Sequence, residues 1–368
     1  MLPPISTQSP ESLRNWLVQH NEPTYRADQI LQWVHQKAAA DWSAMSNLPD
    51  SLRNQLAEAF QLSTVEAAQE QGSLDTTLKY LWKLNDGQFV ESVLIPANPA
   101  LYGESSDRHT LCVSTQVGCA YGCRFCASGL GGFKRNLTPA EIVDQVLAVE
   151  RIRRDAASAR ERLITNLVIM GMGEPMANYE NLVEALETLN AEWGAGIGAR
   201  KITISTSGLV PRILDLAHHP KQYRLAISLH GATDAVREKI MPINQRYPLK
   251  ELAAAASEYQ SVKNGMITLE YILIEGINDH PEQISPLAQL ATELRAKVNL
   301  IPYNHVDGLE WNRPSIGTQD AFLNGLKALG TPVTLRREKG HDIDAACGQL
   351  RLREITQSKS AECSSQIQ

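Results

Sequence analysis

Apolar residues recur at helical spacing through the amino-terminal part of the chain. The stripes are Leu13, Trp16 and Leu17, then Ile30, Leu31 and Val34, then Leu52, Leu56 and Phe60. Each stripe would form the buried face of an amphipathic helix whose opposite face is polar. We therefore predict a small helical accessory domain over residues 1–70.

The pattern then changes to alternation with a period of two. Apolar and aromatic residues alternate over residues 78–84, the tripeptide Asn85-Asp86-Gly87 follows, and residues 89–95 have an extended character. A turn signal between two such runs is typical of a β-hairpin. We expect this hairpin to occupy a linker region, residues 71–104, that bridges the helical domain and the rest of the chain.

From residue 108 onward, predicted strands and helices alternate. The strands are expected at residues 111–117, 167–171, 201–205, 223–229, 267–274 and 298–302, with a later one at 333–337. The helices are expected at residues 140–153, 181–193, 210–218, 249–262, 286–296 and 321–329. Thr138 and Pro139 suit the N-cap and first turn of the first helix. Six such units favour a parallel α/β architecture, whose chemistry lies at the carboxyl ends of the strands.

Length and composition agree with a large catalytic domain and a smaller appendage, because the chain has 368 residues of which 43% are hydrophobic. No apolar run approaches the roughly 18 residues of a membrane span. The first residues also lack the basic start and apolar core of a signal peptide. We therefore expect a soluble cytoplasmic protein, in which the six cysteines remain thiols. The polar tail, residues 356–368, is expected to be mobile.

The formal net charge of −6 argues against a protein that coats RNA by bulk electrostatics. It leaves room for local patches of positive charge. Candidates for phosphate contacts are Lys134, Arg135, Arg336, Arg337 and Lys339. Each of these is equally compatible with an ordinary solvated surface charge.

Three cysteines, Cys119, Cys123 and Cys126, form a C-x3-C-x2-C triplet with no fourth cysteine nearby. Three thiolates suit a [4Fe-4S] cluster with one iron open to an exogenous ligand. Structural zinc is the alternative, but zinc prefers four protein ligands, often in two C-x2-C pairs. Count and spacing favour the cluster.

A second motif, Gly-Met-Gly-Glu-Pro at residues 171–175, follows a predicted strand. The sixth position of a dinucleotide-binding G-x-G-x-x-G motif would be Met176, so that interpretation fails. Glycine at a strand end lets the backbone approach a ligand closely, and Glu174 offers a carboxylate to a cationic group. The alternative is a plain turn from strand to helix.

Together these segments resemble the RlmN family of radical S-adenosylmethionine (SAM) enzymes. The resemblance rests on residues 111–119, 171–175, 205–208, 227–230, 299–304 and 342–350, with weaker similarity at 25–33. It implies a partial (β/α)6 radical SAM barrel with a carboxyl-terminal extension over residues 105–355. It also implies methylation of C2 of adenosine in the peptidyl-transferase region of 23S rRNA, and of the adenosine next to the anticodon in some tRNAs.

The resemblance implies two cofactors. One [4Fe-4S] cluster per chain would be held by the cysteine triplet, and two SAM molecules would be used per turnover. The implied SAM-binding residues are Gly173, Glu174, Ser205, Ser228, Leu229, His230 and Asn304. Taken alone, a serine or histidine at a strand end is more often a turn residue. The sequence departs from many relatives at Gly231 and Ala232, which puts the local loop shape in doubt.

Two further cysteines match the family's reactive pair. The resemblance implies that Cys347 carries the methyl group as S-methylcysteine and that Cys112 later releases the product by forming a transient disulfide with it. Glu91 matches the family's proton acceptor. By pattern alone, both thiols are equally explained as buried core residues, and Glu91 as a solvent-facing residue of the hairpin. Cys363 matches nothing and is given no role.

Two other functions compete with this one. A Cfr-type enzyme would use the same cysteines to methylate adenine C8, and a zinc-binding RNA module would have no catalytic activity. The preferred hypothesis is a monomeric C2 methyltransferase that binds 23S rRNA and tRNA and depends on an external reductant for its cluster and its disulfide.

Overall fold

The computed structural model describes residues 2–73, 76–96, 108–153, 162–306 and 308–336. Several residues named above lie outside these ranges, namely Arg337, Lys339, Cys347, Cys363 and the tail 356–368. The expectations for them therefore stay predictions. Within the described ranges, no helix is both long and apolar enough to cross a membrane.

The amino-terminal stripes form helices, as predicted. They are α1 (Pro10–Gln19), α2 (Arg26–Leu31) and α3 (Asp50–Ala59). Helix α2 continues into a π-helical segment, Gln32–Gln36. The Ser9 side chain caps α1 by accepting a hydrogen bond from the backbone of Ser12 at 3.1 Å, which satisfies one of the free N–H groups at the helix start.

The strands of the described ranges are β1 (Val65–Gly72), β2 (Leu78–Leu84), β3 (Phe89–Pro96), β4 (His109–Cys112), β5 (Gln116–Val117), β6 (Arg135–Asn136), β7 (Asn166–Ile169), β8 (Ile202–Thr206), β9 (Arg224–Ser228), β10 (Thr268–Leu273), β11 (Lys297–Pro302) and β12 (Val333–Leu335). All except β5 and β6 form one ten-stranded sheet in chain order. Strands β1 to β4 pair antiparallel, and β4 begins a parallel series that runs through β7 to β12. The order is linear, so the barrel formed by the described residues is open, as expected.

The predicted hairpin is confirmed in β2 and β3, and it joins the barrel sheet directly because β3 pairs with β4. Strand β1 was not predicted. Its sequence is polar and only Val65 is buried, so it shows no alternation. It lies across the expected boundary at residue 70 and is held by its pairing with β2.

The first predicted barrel strand, residues 111–117, is divided in two. Strand β4 ends at Cys112, and β5 pairs with β6 in a separate two-stranded sheet. The buried side chain of Ser114 explains the break. Its Oγ donates to the carbonyl of Glu91 at 2.5 Å and accepts from the backbone N of Met172 at 2.9 Å. These side-chain bonds replace the ladder bonds of a continuous strand.

Helices cover the outside of the parallel strands. They are α4 (Ala127–Leu130), α5 (Pro139–Arg153), α6 (Tyr179–Asn190), α7 (Val210–His218), α8 (Asp234–Ile240), α9 (Leu249–Lys263), α10 (Ile284–Glu293) and α11 (Ile316–Ala328). Thr138 begins α5 in a capping box, because Thr138 N donates to Glu141 at 2.9 Å and Glu141 N donates to Thr138 Oγ1 at 3.3 Å. The six predicted helices are confirmed, and α4 and α8 are additional.

The helical domain and the barrel share one apolar core, which extends from Ile5 to Leu326. A buried carboxylate on α5 strengthens the junction. Asp144 accepts hydrogen bonds from the backbone N and the hydroxyl of Thr64, at 2.7 and 2.6 Å. Burial raises the pKa of Asp144, and the neighbouring Arg151 and the Thr64 bonds act in the opposite direction. The amino-terminal helices are thus packed onto the barrel rather than loosely tethered.

The loop between β5 and β6 is closed tightly at its base. Gly118 has a φ of 79°, and a Cβ there would lie 1.8 Å from the carbonyl oxygen of Gly132. Gly87, in the hairpin turn, has an almost identical φ of 78° with open space around it. An added Cβ would therefore meet only an unfavourable backbone conformation at Gly87, but both that conformation and a steric clash at Gly118.

We predict that Gly118→Ala is more destabilising than Gly87→Ala. Both place alanine in the left-handed region, at a cost of about 1 kcal/mol, but only Gly118→Ala also forces the loop apart, which adds roughly 1–3 kcal/mol. Urea unfolding of the two variants and the parent measures the difference. Equal losses of unfolding free energy would show that the loop base is not closed in this way.

Candidate active site at the carboxyl ends of the parallel strands

The cysteine triplet lies on the loop that leaves the barrel after β5. Lys134 N donates to the carbonyl of Val117 at 2.9 Å, which closes the loop. All three thiols are partly buried, and Cys126 N donates to the carbonyl of Cys123 at 3.1 Å. The sequence order therefore places three thiols on one short loop at the mouth of the barrel.

Electrostatics within this loop suit a positively charged metal centre. Burial raises the pKa of Cys119 to about 12, and the neighbouring Cys126 adds to the shift. Burial likewise raises the pKa of Cys123, which also feels Cys126 and Cys119. Thiolates crowded in this way would be stabilised by a cation such as iron. No three His, Cys, Asp or Glu side chains of the described ranges form a group that could hold a metal ion as they stand, so the fit rests on the donor set.

A small apolar cluster packs against the cysteine loop. It contains Ala127, Ile240, Met241, Ile243, Ile274, Tyr303 and Val306. The hydroxyl of Tyr303 is buried, and the backbone of Val306 lies within hydrogen-bonding reach of its oxygen. Burial raises the pKa of Tyr303, and Cys126 adds to the shift. A buried donor beside a thiol fits an iron–sulfur site, in which hydrogen bonds to sulfur tune the cluster.

Glu174 follows β7 and is fully enclosed. Its carboxylate accepts four hydrogen bonds: from Met176 N at 3.0 Å, from Thr206 Oγ1 at 2.7 Å, and from the backbone N and hydroxyl of Ser207, both at 2.8 Å. Burial raises the pKa of Glu174, while these bonds oppose the rise. The carboxylate thus lies in a fixed position between the ends of β7 and β8, where it can face an ammonium group.

Gly173 brings the backbone close to the start of the cysteine loop. A Cβ there would lie 2.5 Å from the Cβ of Gln116, and φ is 100°. Gln116 also accepts a hydrogen bond from Glu174 N at 3.0 Å. The glycine is therefore required by a close approach between two loops and is more than a simple turn residue.

Ser205 and Ser228 lie on neighbouring strands and share one acceptor. Their hydroxyl oxygens are 3.3 Å apart, and Ser205 donates to Glu270 Oε2 at 3.0 Å. Ser228 and Glu270 are in register on β9 and β10, so both side chains point to the same face. Burial raises the pKa of Glu270, and the serine hydroxyls and the charge of Arg336 lower it. The two predicted serines are thus organised by a carboxylate that was not predicted.

His230 is buried and adopts a positive φ of 57°. Its Nδ1 accepts a hydrogen bond from Ile272 N at 3.1 Å, which assigns the proton of the neutral ring to Nε2. Burial and then the charge of Arg237 lower the pKa of His230 to about 3. The ring of Phe125, from the cysteine loop, meets it edge-on at 4.9 Å. His230 is therefore a neutral donor that links the cysteine loop to β9.

The other two predicted SAM-binding residues, Leu229 and Asn304, differ in burial and in the polar groups that they could offer. Leu229 has a buried side chain, and its backbone N donates to the carbonyl of Glu270 at 2.9 Å. Asn304 is half-buried and follows β11. The structure therefore brings Glu174, Ser205, Ser228, His230 and Asn304 to one edge of the sheet.

Glu91 is buried, so the solvent-facing alternative for this residue is wrong. Its Oε2 lies 2.9 Å from Nζ of Lys79, and the two side chains are 3% and 0% exposed. Val93, which lies two residues after Glu91 on β3, is paired with Lys79 on one side and with Cys112 on the other. Glu91, Lys79 and the buried Cys112 therefore share one face of the sheet.

The candidate phosphate contacts differ in exposure and in whether they already form ion pairs. Arg135 is committed to ion pairs, with Asp86 at 2.7 Å and with Glu141 at 2.8 Å, and its structural role leaves it poorly suited to bind phosphate. Lys134 and Arg336 are exposed. The two remaining candidates lie outside the described residues.

Glu270 and Lys79 were not found from the sequence. Each is a charged residue within a strand whose neighbours are mostly apolar. This signal was available, because a charge in a buried strand is rarely found without a partner. The partner of Glu270, Ser205, is distant in sequence, whereas Glu91 lies across the predicted hairpin from Lys79, and only the strand register shows that the two side chains meet.

Comparisons with known proteins agree with this geometry. The radical SAM superfamily model matches residues 113–285, and the model of the ribosomal RNA large subunit methyltransferase N-terminal domain matches residues 6–62. A relative from Akkermansia muciniphila, described as a probable dual-specificity RNA methyltransferase RlmN, is 53% identical over 99% of both chains. A relative of the same description from Geobacillus thermodenitrificans is 45% identical over 96% of this chain and 94% of its own.

A solved structure confirms the fold. The radical SAM methyltransferase from Sphaerobacter thermophilus superposes with a TM-score of 0.87 at 42% identity, over 94% of this chain and 98% of the other. A match of this extent includes both the helical domain and the barrel. With its cysteine loop and its enclosed Glu174 at the same edge of that barrel, the chain belongs to the RlmN family of radical SAM RNA methyltransferases.

Proposed function

We propose that the protein methylates C2 of adenosine in the peptidyl-transferase region of 23S rRNA, and of the adenosine next to the anticodon in some tRNAs. The proposal is carried by the nearly end-to-end similarity to relatives described as dual-specificity RNA methyltransferases. The Cfr-type alternative has no support among them. An RNA substrate of this kind would be met in the cytoplasm, and we propose that the enzyme acts there as a monomer.

The residues at the strand ends fit both cofactors of the family. Cys119, Cys123 and Cys126 would hold one [4Fe-4S] cluster per chain, and two molecules of SAM would be used per turnover. When bound, the cluster and SAM together supply radical chemistry that can attack an unactivated carbon. The carboxylate of Glu174 would hold the SAM ammonium group, assisted by the close backbone at Gly173.

The remaining polar groups of this edge would orient the rest of SAM. Ser205 and Ser228 have hydroxyls fixed by Glu270, and the backbone at Leu229, the Nε2–H of His230 and the amide of Asn304 complete the set. Because these groups are held by the protein before SAM binds, little rearrangement is needed on binding.

Two cysteines outside the triplet would carry and then release the methyl carbon. The Cys347 thiolate would take a methyl group from SAM by nucleophilic attack on its carbon, with S-adenosylhomocysteine as the leaving group. Radical chemistry supplied by the second SAM would remove one hydrogen atom from that carbon and join the carbon to adenine C2. The Cys112 thiolate would then attack the sulfur of Cys347 to form an S–S bond, while the product carbon keeps the electron pair of the broken bond to sulfur and takes up a proton to become the methyl group. An external thiol reductant then returns the disulfide to two thiols. A separate low-potential donor supplies the electrons of the cluster.

Glu91 would take the proton that adenine C2 loses. Its ion pair with Lys79 supports this role, because the contact holds the buried carboxylate in a fixed position. Its position on the same face as Cys112 also supports it, since proton removal and sulfur attack must act on the same adduct.

The proposed division of the chain follows from these roles. The barrel and its extension, residues 105–355, would carry the chemistry, and the helical domain, residues 1–70, would hold the RNA, with the hairpin region 71–104 between them. Exposed Lys134 beside the cysteine loop would contact phosphate near the target base. The base must leave its stack to reach the strand ends.

We predict that the anaerobically reconstituted protein converts adenosine in 23S rRNA to 2-methyladenosine, measured by mass spectrometry of the digested nucleosides. Iron and sulfide should be present at about four each per chain, as a [4Fe-4S] cluster requires.

The Cys347→Ala variant should form no product while still cleaving SAM reductively. 8-Methyladenosine as the product would favour the Cfr-type activity, and a colourless protein containing zinc would exclude both.

We predict that Cys112→Ala accumulates a covalent protein–RNA adduct, because the sulfur of Cys347 can no longer be attacked. Denaturing gel electrophoresis with labelled RNA detects the adduct. Cys363→Ala serves as the matched control and should turn over normally. Normal product release by Cys112→Ala would remove the resolving role from this residue.

We predict that Glu91→Gln slows product formation by about 10²–10⁴-fold, the usual contribution of a positioned base, with reductive SAM cleavage preserved. Glu66, an exposed carboxylate on β1, provides the control, and Glu66→Gln should leave the rate unchanged. Single-turnover kinetics with labelled rRNA measure both variants. A Glu91→Gln enzyme with the parental rate would show that another group accepts the proton.

A further inference from the structure

Arg237, on α8, is the centre of a buried polar network. Its side chain is fully enclosed and donates three hydrogen bonds: from Nε to the carbonyl of Leu229 at 3.1 Å, from Nη1 to Oδ1 of Asn244 at 2.8 Å, and from Nη2 to the carbonyl of Ser207 at 2.5 Å. The backbone of Gly231 packs so closely that a Cβ there would lie 2.6 Å from Arg237 Cα. The guanidinium group is therefore fixed in place.

All three acceptors are electrically neutral. Arg237 forms no ion pair with any carboxylate of the described ranges. Asp234 lies one step away, because its carboxylate accepts a hydrogen bond from Asn244 at 3.0 Å and another from Leu249 N at 2.8 Å. Burying a cation without a counter-charge is unfavourable. The three hydrogen bonds offset part of this cost, and an anion nearby would offset more of it.

The cysteine loop is the nearest place for such an anion. Arg124 N, within that loop, donates to the carbonyl of Ile240 at the end of α8, at 2.9 Å. Ile240 belongs to the apolar cluster against which Cys123 packs. Burial lowers the pKa of Arg237 to about 10, and the nearby Cys123 and Asp234 oppose this shift. Helix α8 thus contacts the cysteine loop, and its buried cation lies close to Cys123.

A cluster bound to this loop would be an anion. Three thiolates exceed the positive charge of the oxidised cluster core, and transfer of one electron from a low-potential donor makes the whole centre more negative still. A fixed cation nearby stabilises the reduced form more than the oxidised form. Net charge and burial are among the factors that set the reduction potential of such clusters.

We infer that Arg237 is a positioning residue that balances the charge of the cysteine-bound cluster and raises its reduction potential. The inference rests on the proposed cluster. The same guanidinium holds the carbonyl of Ser207, whose N–H and hydroxyl fix the carboxylate of Glu174. One side chain therefore connects the electron-accepting centre to the group proposed to hold SAM.

The test uses the full-length, reconstituted protein without SAM or RNA, titrated anaerobically with dithionite and followed by electron paramagnetic resonance. Arg237→Gln removes the charge and Arg237→Lys keeps it. The control is Arg246→Gln, because Arg246 is exposed just beyond α8 and solvent screens its charge. We expect the midpoint of Arg237→Gln to shift to more negative potential, while Arg237→Lys and Arg246→Gln stay close to the parent.

The other outcomes are equally decisive. An unchanged midpoint in Arg237→Gln overturns it, as do equal shifts in Arg237→Gln and Arg237→Lys, which would indicate that hydrogen-bond geometry rather than charge matters. If Arg237→Gln assembles no cluster, full iron content and a parental midpoint in Arg237→Lys support the inference, and loss of the cluster in both variants contradicts it. A parent protein without iron would instead refute the proposed cofactor.

Discussion

The carboxylate of Glu174 holds together the ends of two neighbouring strands, and the geometry of the site follows from this contact. Thr206 and Ser207, which come at and just after the end of β8, donate three of its four hydrogen bonds. A buried carboxylate is tolerated only when its oxygens are satisfied. The loop after β8 must therefore adopt one conformation, and Arg237 then fixes that loop to the end of β9.

The same rule governs the other buried charges of the molecule, but with different partners. Glu270 is satisfied by serine hydroxyls, Glu91 by an ammonium group, and Arg237 by neutral carbonyl and amide oxygens. Of these three, only the pair of Glu91 with Lys79 contains its own counter-charge. Charges that are solvated only by dipoles remain available to a ligand of opposite sign, because no ion pair has to be broken before the ligand binds.

Periodicity and motifs predicted most of the fold and much of the site. The apolar stripes of the amino-terminal helices and the alternation of the hairpin are local signals, and they were read correctly. The expected SAM-binding residues lie at one edge because parallel strands end there. The cysteine loop was recognisable from spacing alone. These features depend on residues that are neighbours in sequence.

The features that were missed depend on distant residues. Strand β1 is polar and exists through its pairing with β2, and the break after Cys112 arises from bonds between Ser114 and the remote residues Glu91 and Met172. Helix α8 is short, and its buried Arg237 reads as a surface charge in the sequence. No local pattern reports which distant carbonyl a side chain will meet, so tertiary contacts override propensity at these positions.

The site extends from the parallel part of the large sheet into its antiparallel part, and this arrangement has a chemical consequence. The proposed SAM-binding residues lie on parallel strands, whereas Glu91 and Lys79 lie on the antiparallel hairpin. Cys112 belongs to β4, which pairs with β3 on one side and with β7 on the other. The proposed resolving thiol is thus at the junction, between the base that would accept the proton and the strands that would hold SAM. An adenine that reaches this junction would lie near both the proposed proton acceptor and the proposed SAM site, so it would not have to move between sites.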